Sequence, residues 1–349
     1  MADEQQHKPF TFSGRGGEYF RIWIVNLCLS LVTLGIYSAW AKVRRLQYFY
    51  RHTSVADAGL DFHGNPVAIL KGRILAVILF GGYSLTSHLN PAASLAMFAL
   101  IMAVMPWLLV RSLSFKLRNT SYRGLRFSFR GKTGDAYINF LLLPLASYIS
   151  AGLLWPLAQQ QMTHYVRSNS AYGNGRFGFH AKYGAFYKPY LVVFGAAILI
   201  LIVAAGAGIM LSNGLHARMG SADTKTQYMI LGFSIIGIFY LGLLLFAVPY
   251  LTSRLQNVIF NHTSLGTFGF SSHLRARDLF GIMLSNLLLI ILTLGLYKPF
   301  ADIRMARYRV ERLALKADSD IDAFVAEQQA DVSAAGEEIA DVFDLDIAA

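Results

Sequence analysis

Charge and cysteine are what this chain has least of. Only 15% of its 349 residues are charged, where a soluble chain carries about a quarter. Cys28 is the single cysteine, so an internal disulfide, CxxC redox chemistry and cysteine-built zinc sites are all excluded. Hydrophobic residues make up 55% of the chain and the mean hydropathy is +0.44. Apolar runs long enough for a bilayer, about 20 residues each, lie near 22–40, 74–89, 92–110, 136–158, 190–211, 228–250 and 279–299. The first is not a secretory signal. Twenty residues including Glu18 precede it, and Lys42, Arg44 and Arg45 follow it at once, holding that end in the cytoplasm.

Acid is scarce in the body of the chain and basic residues are absent from its end. Residues 317–349 hold ten acidic residues and no Lys or Arg, which leaves +21 on residues 1–316. A membrane body this basic points to anionic lipid headgroups as partner, and the acidic tail to a protein partner. Nucleic acid is excluded as a partner because the charges flank apolar segments and build no separate basic domain. The expected domains are a disordered N-terminus at 1–9, one repeat-built membrane domain at 10–316, and a disordered acidic tail at 317–349.

The repeat is internal and specific. Asn26–Arg44 recurs 260 residues later as Asn286–Arg304, with nine of nineteen positions identical and no gap. Its ending occurs five times, from Ala39, Pro106, Pro156, Pro249 and Pro299. Five positions on stand Arg44, Arg111, Gln161, Arg254 and Arg304, and nine on stand Tyr48, Phe115, Tyr165, Val258 and Tyr308. A polar pair follows, His52-Thr53, Asn119-Thr120, Asn169-Ser170 and His262-Thr263, suited to capping a helix end. Four copies then run into an apolar-x-Phe strand signal: Leu60-Asp61-Phe62, Phe127-Ser128-Phe129, Phe177-Gly178-Phe179 and Phe268-Gly269-Phe270. The fifth runs into the tail and is expected to lack a strand. The aromatic and basic slots (Arg44, Tyr48, Arg111, Phe115, Tyr165, Arg254, Arg304, Tyr308) are read as lipid-facing, at headgroup depth.

The fold class expected is an all-α polytopic membrane protein with internal repeats, seven apolar helical segments, and short Phe-x-Phe strands in the linkers. The linkers at 41–73 and 111–135 are strongly basic, while those near 90 and at 212–227 carry almost no charge. All five basic exits then lie in the cytoplasm if four runs cross fully and three, the first, fourth and seventh, break or turn back. Thr33-Leu34-Gly35, Pro144 with Gly152, and Thr293-Leu294-Gly295 supply the bends. The C-terminal tail is placed in the cytoplasm.

Catalytic signals are wanting. Gly131-Lys132-Thr133 lacks the glycine a phosphate-binding loop needs five residues earlier, where Arg126 stands. No two histidines are spaced i,i+4, so no metal site is expected. Neither enzyme activity nor a cofactor is expected. Asn26 and Asn286, costly in hydrocarbon unless bonded, could line a polar path with Thr33, Tyr37, Thr293 and Tyr297. That reading makes the chain a transporter or channel for a small solute. The competing reading is a non-transporting scaffold that binds anionic lipid and a protein partner.

The pattern Asn-Leu-x(5)-Thr-Leu-Gly-[Ile/Leu]-Tyr, followed by Ala-x-[Val/Ile]-Arg and preceded by Phe10-Thr11-Phe12-Ser13-Gly14, resembles the YjgN-type family of bacterial inner-membrane proteins over about residues 10–315. The resemblance implies a multi-pass inner-membrane protein and supplies no substrate or catalytic residue, because that family is itself of unknown function.

Overall fold

Helix exits in this chain are closed by their own side chains. The side chains of His52, Asn119, Asn169 and His262 bond the carbonyls of Tyr48, Phe115, Tyr165 and Val258, four residues back, at 2.7–2.8 Å. One residue on, the hydroxyls of Thr53, Thr120, Ser170 and Thr263 repeat the i−4 bond. The hydroxyl satisfies a carbonyl that a helix end leaves free, while the carbonyl of Tyr48, Phe115 or Tyr165 takes the side-chain bond beside one from the capping residue's own N–H. Because a carbonyl only accepts, Nδ1 of both histidines carries a proton here, and these imidazoles act as caps.

The computed structural model describes residues 6–216, 224–317 and 320–330. It arranges the chain as five units, each a helical hairpin between two strands. The first holds α1 (Gly16–Val32), α2 (Ser38–Arg51) and β3 (Thr53–Val55). The second holds β4 (Ala58–Phe62), α3 (Pro66–Leu89), α4 (Pro91–Arg118) and β5 (Thr120–Tyr122). The third runs through β6 (Leu125–Phe129), α5 (Thr133–Tyr137), a π-helical turn (Ile138–Leu142), α6 (Leu143–Ile149), α7 (Trp155–Ser168) and β7 (Ser170–Tyr172). The fourth holds β8 (Gly175–Phe179), α8 (Tyr183–His216), α9 (Thr224–Asn261) and β9 (Thr263–Leu265). The fifth holds β10 (Phe268–Ser272), α10 (Ala276–Leu292), α11 (Lys298–Glu311) and β11 (Leu313–Ala317).

The strands are not isolated linker pieces, which corrects the all-α expectation. They form one eleven-stranded antiparallel sheet in the order β1-β11-β10-β9-β8-β7-β6-β5-β4-β3-β2. Its two ends, β1 (Gln6–Pro9) and β2 (Thr11–Phe12), are consecutive in sequence. Residues 6–12 therefore act as one strand, bonded to β11 along one edge and to β3 along the other, and the sheet closes into a ring. A fifth strand follows the fifth exit after all, and its hairpin partner comes from the other end of the chain. Phe10-x-Phe12 belongs to the opening strand of the first unit, so residues 6–9 are ordered and not part of a disordered N-terminus.

Register is repeated around the ring. The residue after each unit's opening strand donates its N–H to the carbonyl of the capping residue at that unit's exit: Ser13 to His52, His63 to Asn119, Arg130 to Asn169, His180 to His262 and His273 to Arg312. By this register the fourth apolar-x-Phe slot of the linkers is Phe270-Ser271-Ser272, two residues later than the sequence pattern suggested. Where the slot holds Phe12, Phe62 or Phe129, the ring folds over the residue two ahead. A Cβ on Gly14, Gly64 or Gly131 would stand 2.4–2.7 Å from it, which explains glycine there.

Inside the ring the alternation of the strands stacks two layers of side chains. Val55, Tyr122, Tyr172, Leu265 and Leu315 form one, with Phe10, Leu60, Phe127, Phe177 and Phe270 packed against it. The two tyrosines also link backbones across the ring: Tyr172 donates to the Tyr122 carbonyl and Tyr122 to the Val55 carbonyl, both at 2.9 Å. A further helix, α12 (residues 321–330), covers this interior. It buries Ile321 and Val325 in the same cluster and sets Phe324 edge-on to Phe268 at 5.0 Å. Gln328 Oε1 accepts the N–H groups of Asn174 and Gly175 at 2.9 and 2.7 Å, and Asp322 pairs with Arg123. The expected disorder of the tail does not hold for 320–330; residues 331–349 lie outside those described.

On the helical side, neighbouring units pack pairwise, α2 on α3, α4 on α5, α7 on α8, α9 on α10 and, closing the circle, α11 on α1. Among the described residues, four helices are long and apolar enough to cross a membrane: Pro66–Leu89, Pro91–Arg118, Tyr183–Met210 and Gly237–Asn261. All four belong to the second and fourth units. The chain is thus a polytopic membrane protein in which long and short hairpins alternate.

Two predictions follow from the ring. His7 faces Lys316 in the β1–β11 register, so His7→Cys/Lys316→Cys in a Cys28→Ser background forms a disulfide under mild oxidation. A non-reducing gel reads the shift, and free thiols after oxidation would mean the ring is not closed here. Burial pushes the Tyr172 phenol up to about 12 and raises that of Tyr122. A folded-state pKa raised above the unfolded 10 contributes stability that is complete below pH 10. Thermal midpoints of the wild type should fall between pH 10 and 12, and those of Tyr172→Phe should fall less across the same window.

Candidate functional site

The three short hairpins are built to one pattern at both ends. At the ring end a tyrosine of the outgoing helix pins the start of the incoming one, 33 residues earlier. Tyr48 donates to the Arg15 carbonyl at 3.0 Å and accepts its N–H at 2.8 Å. Tyr165 donates to the Lys132 carbonyl at 2.8 Å, and Tyr308 accepts the Arg275 N–H at 3.1 Å. Tyr48 and Tyr165 are buried, so the reading of these two as lipid-facing is corrected; Tyr308 is half-buried. Phe115 and Val258 hold the same slot in the long units and have no hydroxyl to form the pin.

At the far end each short hairpin turns back through a hydroxyl-x-Gly sequence. In the first, Leu34 and Gly35 take φ of +49° and +91°, and the Gly35 N–H reaches back to the Ser30 carbonyl at 2.7 Å. This is the left-handed helix ending that glycine favours. Thr33 then serves both helices: its hydroxyl donates to Leu29 O at 2.7 Å and accepts the Tyr37 N–H at 2.9 Å. Every backbone N–H from Thr33 to Ala39 has a partner within the hairpin. Thr293-Leu294-Gly295 repeats the arrangement bond for bond, with Tyr297 N–H on the Thr293 hydroxyl at 2.9 Å. The third copy is Ser150-Ala151-Gly152, with Gly152 N–H on Ser147 O at 2.7 Å and Leu154 N–H on the Ser150 hydroxyl at 3.2 Å. Sequence reading picked out Pro144 and Gly152 in this unit and missed the serine. Its place five residues before the exit helix, matching Thr33 and Thr293 in chemistry though not in identity, was the available signal.

The six residues expected to line one polar path do not gather into one. The hydroxyls of Thr33 and Thr293 are committed to their turns, and Tyr37 and Tyr297 stack on Trp40 and Phe300. Asn286 is buried between α10 and α11, where Arg304 donates to its Oδ1 at 2.9 Å and its amide donates to Ala301 O at 3.4 Å. Asn26 is buried as well, but its Oδ1 has no partner. Asn286 borders a cleft against Leu244, Val248 and Met283. Asn26 borders a different one of about 400 Å³ with Trp23, Ser30, Lys42 and Arg73.

The belt arginines divide. Arg44, Arg111, Arg254 and Arg304 are all exposed, with Arg111 over the Trp107 ring and Arg254 over Tyr250 at 5.5 and 5.6 Å. Arg111 and Phe115 also line a cleft of about 660 Å³ between α2, α3 and α4, together with Lys42, Arg73 and Lys116. Arg73 donates to the Ser38 hydroxyl across the unit boundary. Sequence reading passed over Lys42, Arg73 and Lys116; an arginine at the very start of an apolar run was the clue.

The architecture defines an integral membrane protein whose helical hairpins all spring from one closed β-ring. The chain belongs to the family described as bacterial protein of unknown function (DUF898), whose model matches residues 7–342. It is similar to the inner membrane protein YjgN of Salmonella typhimurium, 24% identical over 91% of this chain and 90% of that protein. The YjgN proteins of Escherichia coli O157:H7 and Escherichia coli K12 are 22% and 21% identical, over 89% of both chains in each comparison. No solved structure matches.

The turn geometry makes a sharp prediction. Thr33→Val/Thr293→Val strips the Tyr37 and Tyr297 N–H groups of their acceptors, at about 1–3 kcal/mol for each buried group. The thermal midpoint in lipid nanodiscs should drop, while Thr33→Ser/Thr293→Ser keeps it. Equal midpoints for the valine and serine chains would show that the hydroxyls do not serve the turns.

Proposed function

We propose that this chain is a one-sided, non-transporting scaffold of the bacterial inner membrane. In this reading the ring and α12 face the cytoplasm, the second and fourth hairpins cross the bilayer, and the three short hairpins enter the near leaflet and turn back. The observation that carries it is the set of three turns. Leu34 and Leu294 at their tips are each 94% exposed, yet the N–H groups around them are internally satisfied. Hydrocarbon tolerates irregular backbone only on that condition, and water would not favour such apolar tips. Helix length agrees: 17 residues of α1 span about 25 Å, whereas 24 and 28 residues of α3 and α4 span about 36 and 42 Å. Both ends of every hairpin attach to the ring, which accounts for basic linkers on one side only. The name of the YjgN relatives supports the inner membrane as the location.

A scaffold is favoured over a transporter or channel because the ring interior is filled by two layers of side chains and the polar residues of the supposed path lie in separate clefts. We also read the chain as having no enzymatic activity. The nearer part of the acidic tail is spent on the ring itself, so a protein partner of the tail would be held by residues beyond 330.

Cysteine accessibility tests the topology. In a Cys28→Ser background, Asp57→Cys, Arg176→Cys and Thr267→Cys sit at exposed ring positions and should all react with an impermeant thiol reagent only after the inner face is opened. Leu34→Cys should stay unreactive from both sides. Periplasmic labelling at position 176 or 267 would defeat the one-sided reading.

A further inference from the structure

The cleft between α2, α3 and α4 breaks the repeat in one respect: it collects positive charge. Lys42 comes from the first unit, and Arg73, Arg111 and Lys116 from the second; no acidic side chain lines the cleft. Arg73 lies seven residues into α3 and Arg111 seven before the end of α4, so both sit at one height, about 10 Å from the ring ends of their helices. Where the first and fifth units meet, Arg45 and Lys298 pair with the carboxylate of Asp302. None of the four cleft cations has such a partner among the described residues.

Repeat register shows that this is not a general belt. Arg73 stands eleven residues after Phe62. The residues eleven after Phe12, Phe129, Phe179 and Ser272 are Trp23, Phe140, Tyr190 and Met283. Four units thus place a large apolar or aromatic side chain at the slot where one places an arginine. Lys42 stands three after Ala39, and the same slot of the fifth unit is Asp302. An unpaired guanidinium inside the first turns of a membrane span is costly unless an anion meets it there. Past the charges, on the side away from the ring, the cleft is apolar with Ala76 and Leu108, and Leu46 and Ile69 flank the charges on the ring side. On the outer face of α3 it gives way to exposed Ile74 and Val77.

We propose that this cleft is a specific binding site for an anionic phosphate ester whose head carries no cation of its own, with Arg73 and Arg111 holding the phosphate, Lys42 and Lys116 flanking it, and the apolar residues past them taking an acyl chain when the ester is a lipid. Arginine suits this task because its fork of N–H donors matches phosphate oxygens. The proposal deepens the scaffold reading and rests on its placing this level at the headgroups, but the packing of α2, α3 and α4 that forms the site does not depend on the short hairpins turning back.

The test uses the full chain purified in detergent. Thermal midpoints are measured with added phosphatidylglycerol, phosphatidylcholine or soluble glycerol phosphate, and retained lipid is counted by native mass spectrometry. Phosphatidylglycerol should raise the midpoint and remain bound, and phosphatidylcholine should do neither. Arg73→Gln/Arg111→Gln should weaken the response about tenfold or more, since each basic residue at the surface contributes about 1 kcal/mol toward anionic lipid. Lys42→Gln/Lys116→Gln, at exposed positions that leave the fold intact, should weaken it in the same direction. Arg126→Gln/Arg176→Gln, on the outside of the ring, should not. A response to glycerol phosphate equal to that of the lipid assigns the site to a soluble phosphate ester; a response to phosphatidylglycerol alone assigns it to lipid. Equal retention by wild type and both cleft variants, or equal response to phosphatidylcholine, overturns the proposal. Failure of the cysteine-accessibility test with this response intact would remove the one-sided topology and leave the site standing.

Discussion

Every helical hairpin in this protein hangs from a ring of short strands, and the ring exists because residues 6–12 are hydrogen-bonded along both edges. Strands of three to five residues are too short to hold a free sheet edge, and an open edge invites pairing with another chain. Closure removes both problems at once. It also explains why the first and fifth units, farthest apart in sequence, are neighbours in space, with Phe20 stacked on Phe300 and Arg307 donating to the Gly14 carbonyl at 2.8 Å. The likeness of Asn26–Arg44 to Asn286–Arg304 is thus one between adjoining hairpins on one ring.

A ring of this kind constrains what the membrane part can do. A unit that starts and ends on the ring must bring its helices back to the face they left, so crossings come in pairs. In the proposed topology a long hairpin meets this by spanning and returning, and a short one ends within the bilayer, where its turn must answer for its own backbone. The Thr33, Ser150 and Thr293 hydroxyls do that by accepting the N–H four residues on, while Tyr48, Tyr165 and Tyr308 fix the other end. Hydroxyl tip and phenolic pin occur together in the three short units, and in the long units neither is needed.

Much of this was legible in the sequence, and the failures share a cause. The five exits, the capping pairs and the odd character of the first, fourth and seventh runs are local signals, read from fixed spacing. What escaped detection depended on residues distant in the chain. No local pattern says that Phe10-Thr11-Phe12 completes the hairpin of Leu313–Ala317, or that α12 folds back over the ring. The lipid-facing reading of Tyr48 and Tyr165 failed because an aromatic beside arginines resembles a membrane belt until the chain 33 residues earlier is seen against its hydroxyl. Ser150-Ala151-Gly152 was missed for a chemical reason: one hydroxyl serves as well as another, so function is kept where identity is not.

Repetition sharpens the reading of what does not repeat. Five copies of one unit supply five comparisons at every slot, and a residue that departs from the other four is under a demand the fold does not make. Asp302 in place of Lys42 is met within the protein, by Arg45 and Lys298. Ser272 in place of phenylalanine is met as well, since its N–H and hydroxyl are taken up by Asn261 and Asn257. Among the described residues Arg73, in place of a large apolar or aromatic side chain, meets a serine hydroxyl, and neither it nor Lys42, Arg111 or Lys116 has a carboxylate partner there. At the depth where a membrane span begins, phosphate is the anion in supply.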